Sequence, residues 1–123
     1  MNNVELAHKI YDALEQGDAK LFRSYFSDDA TVWHNFDNKD QTIDEAVAQL
    51  EGMMQAFTGT LYKERRYMEV DDGAVVQHVS HSNLHDGNTL ITPMMQHIYI
   101  HDGLVRRIEE YFDTTQMAAA FGD

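Results

Sequence analysis

Three Asp-Gly pairs, Asp72-Gly73, Asp86-Gly87 and Asp102-Gly103, cut the second half of this chain into four runs rich in β-branched and aromatic residues. Glycine tolerates the positive φ that tight hairpin turns demand, so Asp-Gly between strand-like runs is a strong hairpin signal. The runs are residues 61–70, 74–84, 89–100 and 104–113, and together they predict an antiparallel meander. The single proline, Pro93, falls inside the third run and is expected at an edge, bend or bulge, because it has no N–H to give to a ladder.

The first half has a different period. Val4, Ala7, Ile10, Tyr11 and Leu14 recur at helical spacing behind a candidate cap, Asn3, and Gly17 ends the helix. Asp18 can cap a short second helix over 19–25. Ser27-Asp28-Asp29 reads as a turn, 30–36 as a short strand and 37–41 as a loop. Thr42 and Glu45 form a capping box ahead of an apolar helical face made of Ile43, Ala46, Val47, Leu50, Met53, Met54 and Phe57, ended by Gly59. Thr114 can cap a last helix through Phe121. The order is helix, helix, strand, helix, then four strands. It predicts one α+β domain, 1–123, with helices against one face of a curved antiparallel sheet.

Charge narrows the partners. The chain carries 21 acidic and 9 basic residues in 123, a formal charge of −12. Such a balance disfavours nucleic acid and anionic membranes. There is no cysteine, so no thiol nucleophile and no disulfide. The N-terminal residues lack an export signal and no apolar run approaches a membrane span, so a cytoplasmic location is expected. Five of the seven histidines lie between His78 and His101. Along an extended strand His78 and His81 take opposite faces, while His81 and His85 stand roughly 13 Å apart, so no metal site is expected.

The stretch from Asp102 to Asp113, DGLVRRIEEYFD, resembles the final hairpin of SnoaL-like proteins of the nuclear transport factor 2-like superfamily. Phe26-Ser27-Asp28-Asp29-Ala30-Thr31-Val32-Trp33 is similar to that group's phrase before its first strand, and residues 73–79 resemble its central strand. The resemblance implies a cone: a bent sheet wrapped around helices, enclosing an apolar pocket. It also implies a homodimer through the outer sheet face, where His97, Tyr99, His101 and Met95 are expected.

In the epoxide-hydrolase and cyclase branches of this group the first carboxylate of the final strand's motif points into the cone; here that position is Glu110. Phe112 then shares its face by alternation. A three-residue turn at 101–103 sets Glu110 opposite Met94, which puts Met94, Gln96, Ile98 and Ile100 inside. A two-residue Asp86-Gly87 turn pairs Gln77 with Gln96 and Val79 with Met94, bringing in Gln77, Val79 and His81. On the first strand the resemblance implies Trp33 and Asn35.

The expected pocket therefore has Trp33, Val79, Met94, Ile98 and Phe112 as walls, with Asn35, Gln77 and Gln96 to orient oxygen atoms. A mostly apolar cavity with a few convergent polar groups suits a small apolar ligand. Glu110 is the candidate proton carrier and His81 its candidate assistant. Epoxide hydrolysis is disfavoured, because Val79 and His81 stand where that branch has an arginine and an aspartate. The reading is a cofactor-independent enzyme moving a proton on an apolar carbonyl compound by isomerisation, cyclisation or dehydration. The alternative is a noncatalytic ligand-binding or dimerisation module of the same fold.

Overall fold

The computed structural model describes residues 1–121. Helices α1 (Asn3–Glu15) and α2 (Ala19–Ser24) are followed by strands β1 (Phe26–His34) and β2 (Lys39–Thr42). Helix α3 (Ile43–Ala56) precedes β3 (Phe57–Val70), β4 (Gly73–Leu84), β5 (Thr89–His101) and β6 (Leu104–Phe112), and α4 (Thr115–Phe121) closes the order. One six-stranded sheet runs β2-β1-β6-β5-β4-β3. All neighbours are antiparallel except β1 and β6, which pair in parallel. This is the α+β architecture that the order of elements predicts: helices lie on the concave side of a curved, unclosed sheet.

Local chemistry sets the helix starts. Asn2, one residue before the expected cap, accepts from the Glu5 amide, and Asp18 accepts from Leu21. Thr42 and Glu45 satisfy each other's backbone amides reciprocally, the full capping box. From α1, Leu6, Ala7, Ile10, Tyr11 and Ala13 are buried against Ala74, Val76, Ile98, Val105 and Ile108 of the sheet. The apolar face of α3 is only half-buried beyond Ile43, because it roofs a cavity rather than a packed layer.

Two early elements differ from expectation. Ser27, Asp28 and Asp29 lie within β1 rather than in a turn. The β1–β6 ladder slips between Phe26 and Thr31, and Arg23 satisfies this irregular stretch through Asp28 at 3.0 Å and the Phe26 carbonyl at 3.2 Å. The stretch read as a loop contains β2, an edge strand too polar and exposed to carry any apolar alternation.

Register decides which side chains enter the cone. At the β5–β6 turn the paired residues are His101 and Leu104, leaving a two-residue Asp102-Gly103 turn with φ of 53° and 74°. A bulge between Tyr99 and Ile100 then shifts the ladder, and Glu110 pairs with Gln96 instead of Met94. That is a slip of two, so every face is kept. At the β4–β5 turn the opposite happens. Leu84 N–H donates to the Asn88 carbonyl at 2.8 Å, closing a three-residue loop with Gly87 at φ 90°. His78 therefore pairs with Met94, and Gln77 with Met95. This is a slip of one, which turns β4 over.

Pro93 sits one residue beyond the last β5–β6 pair, where no ladder bond to β6 is required of it. Gly73 opens β4 against β5 so closely that a Cβ there would stand 1.8 Å from the Ile98 carbonyl oxygen.

Candidate functional site

A cavity of about 200 Å³ lies between the concave face of the sheet and the helices. Leu50, Met53 and Met54 of α3 and Phe57 form its roof; Phe22, Val32 and Ile108 form part of its wall. Phe36 packs edge-on against Phe112 at 5.5 Å and tilts over His34 at 5.2 Å. Phe36 is 47% exposed, which makes this aromatic group the rim of the cavity.

Inside, a directed chain of polar side chains reaches one carboxylate. His78, 3% exposed, bonds through Nε2 to Gln96 Oε1 at 2.7 Å. Gln96, 1% exposed, donates through Nε2 to Glu110 Oε2 at 3.0 Å. The amide can do both only if its oxygen accepts from His78, so His78 carries its proton on Nε2. Burial pushes the His78 imidazole down to about 4, helped by the Arg65 charge and opposed by the bond to Gln96. The ring is therefore neutral at neutral pH. It is stacked on Tyr62 at 5.0 Å and meets Tyr11 edge-on at 4.5 Å. The second oxygen of Glu110 faces His34 Nε2 at 3.7 Å.

Two phenols line the same cavity without a hydrogen-bond partner among the described residues, those of Tyr11 and Tyr62. Burial raises both well above the usual tyrosine range, and the next cause in each is the nearby charge of Glu110. They remain O–H donors at every ordinary pH. A clamp holds them in place. Arg65 follows Glu64, which takes φ 57° at a β3 bulge, and binds Asp12 at 2.8 Å and Glu15 at 3.0 Å on α1. Glu15 also accepts from the Tyr62 amide at 2.6 Å.

The structure sorts the residues singled out from sequence. Met94, Gln96, Glu110 and Phe112 line the cavity, and Ile98 is fully buried on the same face. Gln77, Val79 and His81 are not in it: the slip of one turns them to the outer face, brings Ser80 and Ser82 to the cavity and buries His78 on the inner face behind Gln96. Trp33 and Asn35 are also turned away, and His34 and Phe36 take their place. Trp33 packs on Tyr111 at 5.2 Å and donates to Asn38 at 2.9 Å. Asn35 accepts from the Phe112 amide at 3.1 Å and ties the ends of β1 and β6 together. On the outer face His97 stacks flat on Tyr99 at 4.0 Å and meets Asp72 at 2.8 Å. The sequence singles out none of Tyr11, Tyr62 and His34 for the site, while His78 is the residue that a slip of one exchanges for His81. Among the described residues no three His, Asp or Glu side chains gather so as to hold a metal ion, and no helix is long and apolar enough to cross a membrane.

The model of the SnoaL-like domain matches residues 7–108, most of the chain and all of the sheet except the end of β6. The chain belongs to the SnoaL-like family. Solved structures share the fold at low identity. One is a proposed polyketide cyclase from Pseudomonas putida KT2440, 22% identical, with a TM-score of 0.84 over 97% of both chains. Another is IdmH, a proposed polyketide cyclase from Streptomyces antibioticus, 14% identical, with a TM-score of 0.86 over 100% of both. A third, from Catenulispora acidiphila, has the ketosteroid isomerase-like fold and was solved with trimethylamine; it is 11% identical, with a TM-score of 0.82 over 96% of this chain and 92% of that one. No curated protein matches the sequence. At these identities the neighbours establish the fold of this SnoaL-like protein and leave its chemistry to its own residues.

Proposed function

We propose that this SnoaL-like protein catalyses cofactor-independent proton transfer on an apolar carbonyl compound, in an isomerisation, cyclisation or dehydration. The observation that carries the reading is the setting of Glu110: one carboxylate oxygen is fixed by Gln96 and the other is left toward the cavity and His34. Glu110 takes a proton from the carbon beside the carbonyl and returns it elsewhere. Tyr11 and Tyr62, as unpartnered phenols near Glu110, donate to the oxygen that becomes negative as that proton leaves. Gln96 and neutral His78 hold the carboxylate in place, and His34 takes the assisting role first given to His81. The homodimer belongs to the same reading, through the outer face, where Leu61, Ile91, Met95 and Tyr111 are exposed.

The test uses 2-tetralone, a cyclic ketone with acidic α-protons, and follows deuterium uptake from D₂O by NMR. The wild-type protein accelerates exchange, and Glu110→Gln, which keeps the shape and the bond from Gln96, lowers the rate by about 10²-fold or more. Equal rates for the two proteins remove Glu110 from the chemistry. Binding of the ketone with no accelerated exchange supports a noncatalytic ligand-binding module instead.

A further inference from the structure

Apart from the Gln41–Gln49 pair, whose side chains bond each other at 2.6 Å, the polar side chains of the cavity fall into two sets. One is the set around Glu110. The other is a group of hydroxyls further along the concave face: Ser80 and Ser82 on β4, Thr92 on β5 and Thr60 on β3, all lining the cavity. Ladder pairing brings them together, with Ser80 opposite Thr92 and Thr60 opposite Ser82. Serine and threonine at buried, inward strand positions are unusual, since apolar residues fill such positions more cheaply. Ser80, Ser82 and Thr92 are only 7%, 5% and 3% exposed.

Their hydrogen bonding is incomplete. Thr60 and Ser82 share one bond at 2.9 Å, which uses a single proton of the two that the pair carries. Ser80 reaches the Thr92 carbonyl only at 3.5 Å, the outer limit of a hydrogen bond. The Thr92 hydroxyl has no partner among the described residues. A hydroxyl that faces a cavity with no partner among the described residues bonds either water or a ligand oxygen there.

The separation sets the size of that ligand. Gln96, which holds Glu110, and Thr92 are four residues apart on β5, about 13 Å along an extended strand. The level between them holds Met94, with Phe112 paired to it on β6 and His78 on β4, whose Nε2 is already bonded to Gln96. We propose that Thr60, Ser80, Ser82 and Thr92 form a second oxygen-binding subsite. The substrate it selects is a fused-ring compound with oxygen at both ends, one end reacting at Glu110 and the other held by these hydroxyls. The proposal rests on the ligand-cavity reading above and adds the far end of the molecule.

The experiment compares two probes that differ by one remote hydroxyl, 2-naphthol and 2,6-dihydroxynaphthalene, by titration calorimetry. The wild-type protein binds the diol about fivefold more tightly, the value of one additional neutral hydrogen bond. Thr92→Val, which keeps the branched shape, and Ser82→Ala each reduce that preference to below twofold. Either variant suffices if the other does not fold. Equal wild-type affinities, or a preference that survives in the folded variants, overturn the subsite. Binding of neither probe overturns the ligand-cavity reading together with the subsite. Diol preference with unaltered exchange in Glu110→Gln upholds the subsite and refutes the proposed chemistry.

Discussion

Acidification reads out the state of His78 directly. In the unfolded chain this imidazole titrates at its ordinary 6.5; in the folded protein burial first, and the Arg65 charge with it, hold it at about 4. Between those values the unfolded state binds a proton that the native state does not. The number of protons bound is thus larger in the unfolded state, and stability rises with pH across the window. The contribution is complete above 6.5, falls as pH drops toward 4, and changes no further below. Each pH unit in the window is worth about 1.4 kcal/mol, so the loss sums to about 3 kcal/mol.

His78→Phe isolates this term from the carboxylates that titrate in the same range. Phenylalanine keeps an aromatic ring between Tyr11 and Tyr62 but cannot donate to Gln96, which is 1% exposed. The unpaired amide oxygen costs about 1–3 kcal/mol at every pH. Urea denaturation from pH 7 to 4 is the assay. Phenylalanine also removes His78 Nδ1, which is buried without a partner among the described residues, so that cost is offset in part at pH 7; as pH falls the stability difference shifts by about 3 kcal/mol in favour of the variant. A gap that stays constant from pH 7 to 4 refutes the claim that His78 is neutral and desolvated in the native state.

Tyr11→Phe and Tyr62→Phe each slow deuterium exchange into 2-tetralone by about 10²-fold, the usual loss for one donor to a developing oxyanion. Because neither hydroxyl has a hydrogen-bond partner among the described residues, thermal melts of both variants stay close to wild type; a large drop in melting temperature with unchanged exchange identifies a structural role instead. Gly73→Ala forces a methyl into the Ile98 carbonyl oxygen and costs about 3 kcal/mol or more in chemical denaturation, a change that relaxation of side chains alone cannot relieve. Thr42→Ala removes the cap of α3 and costs about 1 kcal/mol by the same assay, with the sheet unaffected.

The fold was legible because its signals are local. The capping box, Asp18, the helical faces and the Asp-Gly pairs each act over a few residues and need no knowledge of the rest. The cavity was half legible, and the reason lies in the parity of two turns. Both β-hairpin registers were set differently from expectation. The β5–β6 ladder moved by two residues, so Glu110, Phe112, Met94 and Gln96 kept their face. The β4–β5 ladder moved by one, so His81, Val79 and Gln77 exchanged places with His78, Ser80 and Ser82. Asp-Gly marks a turn but does not say whether two or three residues form it. Gly87 and Gly103 both take positive φ, yet close loops of different length.

Alternation ought to break such a tie, and in β4 it cannot. One face carries Ala74, Val76, His78, Ser80 and Ser82; the other carries Val75, Gln77, Val79, His81 and Asn83. Neither set is the more apolar, because each face has its own demand. The inner one must present hydrogen-bonding groups to a cavity, and the outer one carries apolar residues such as Ile91, Met95 and Tyr111 beside it. His34 was passed over for a different reason: the resemblance set Trp33 and Asn35 inward, whereas Trp33 packs on the outer face against Tyr111. A strand buried for packing alone declares its register through its pattern. A strand that lines a polar-tipped cavity on one side and an exposed apolar face on the other loses that pattern. The ambiguity in β4 is therefore itself a mark of where the chain departs from packing rules, and it falls on the residues proposed here to bind oxygen.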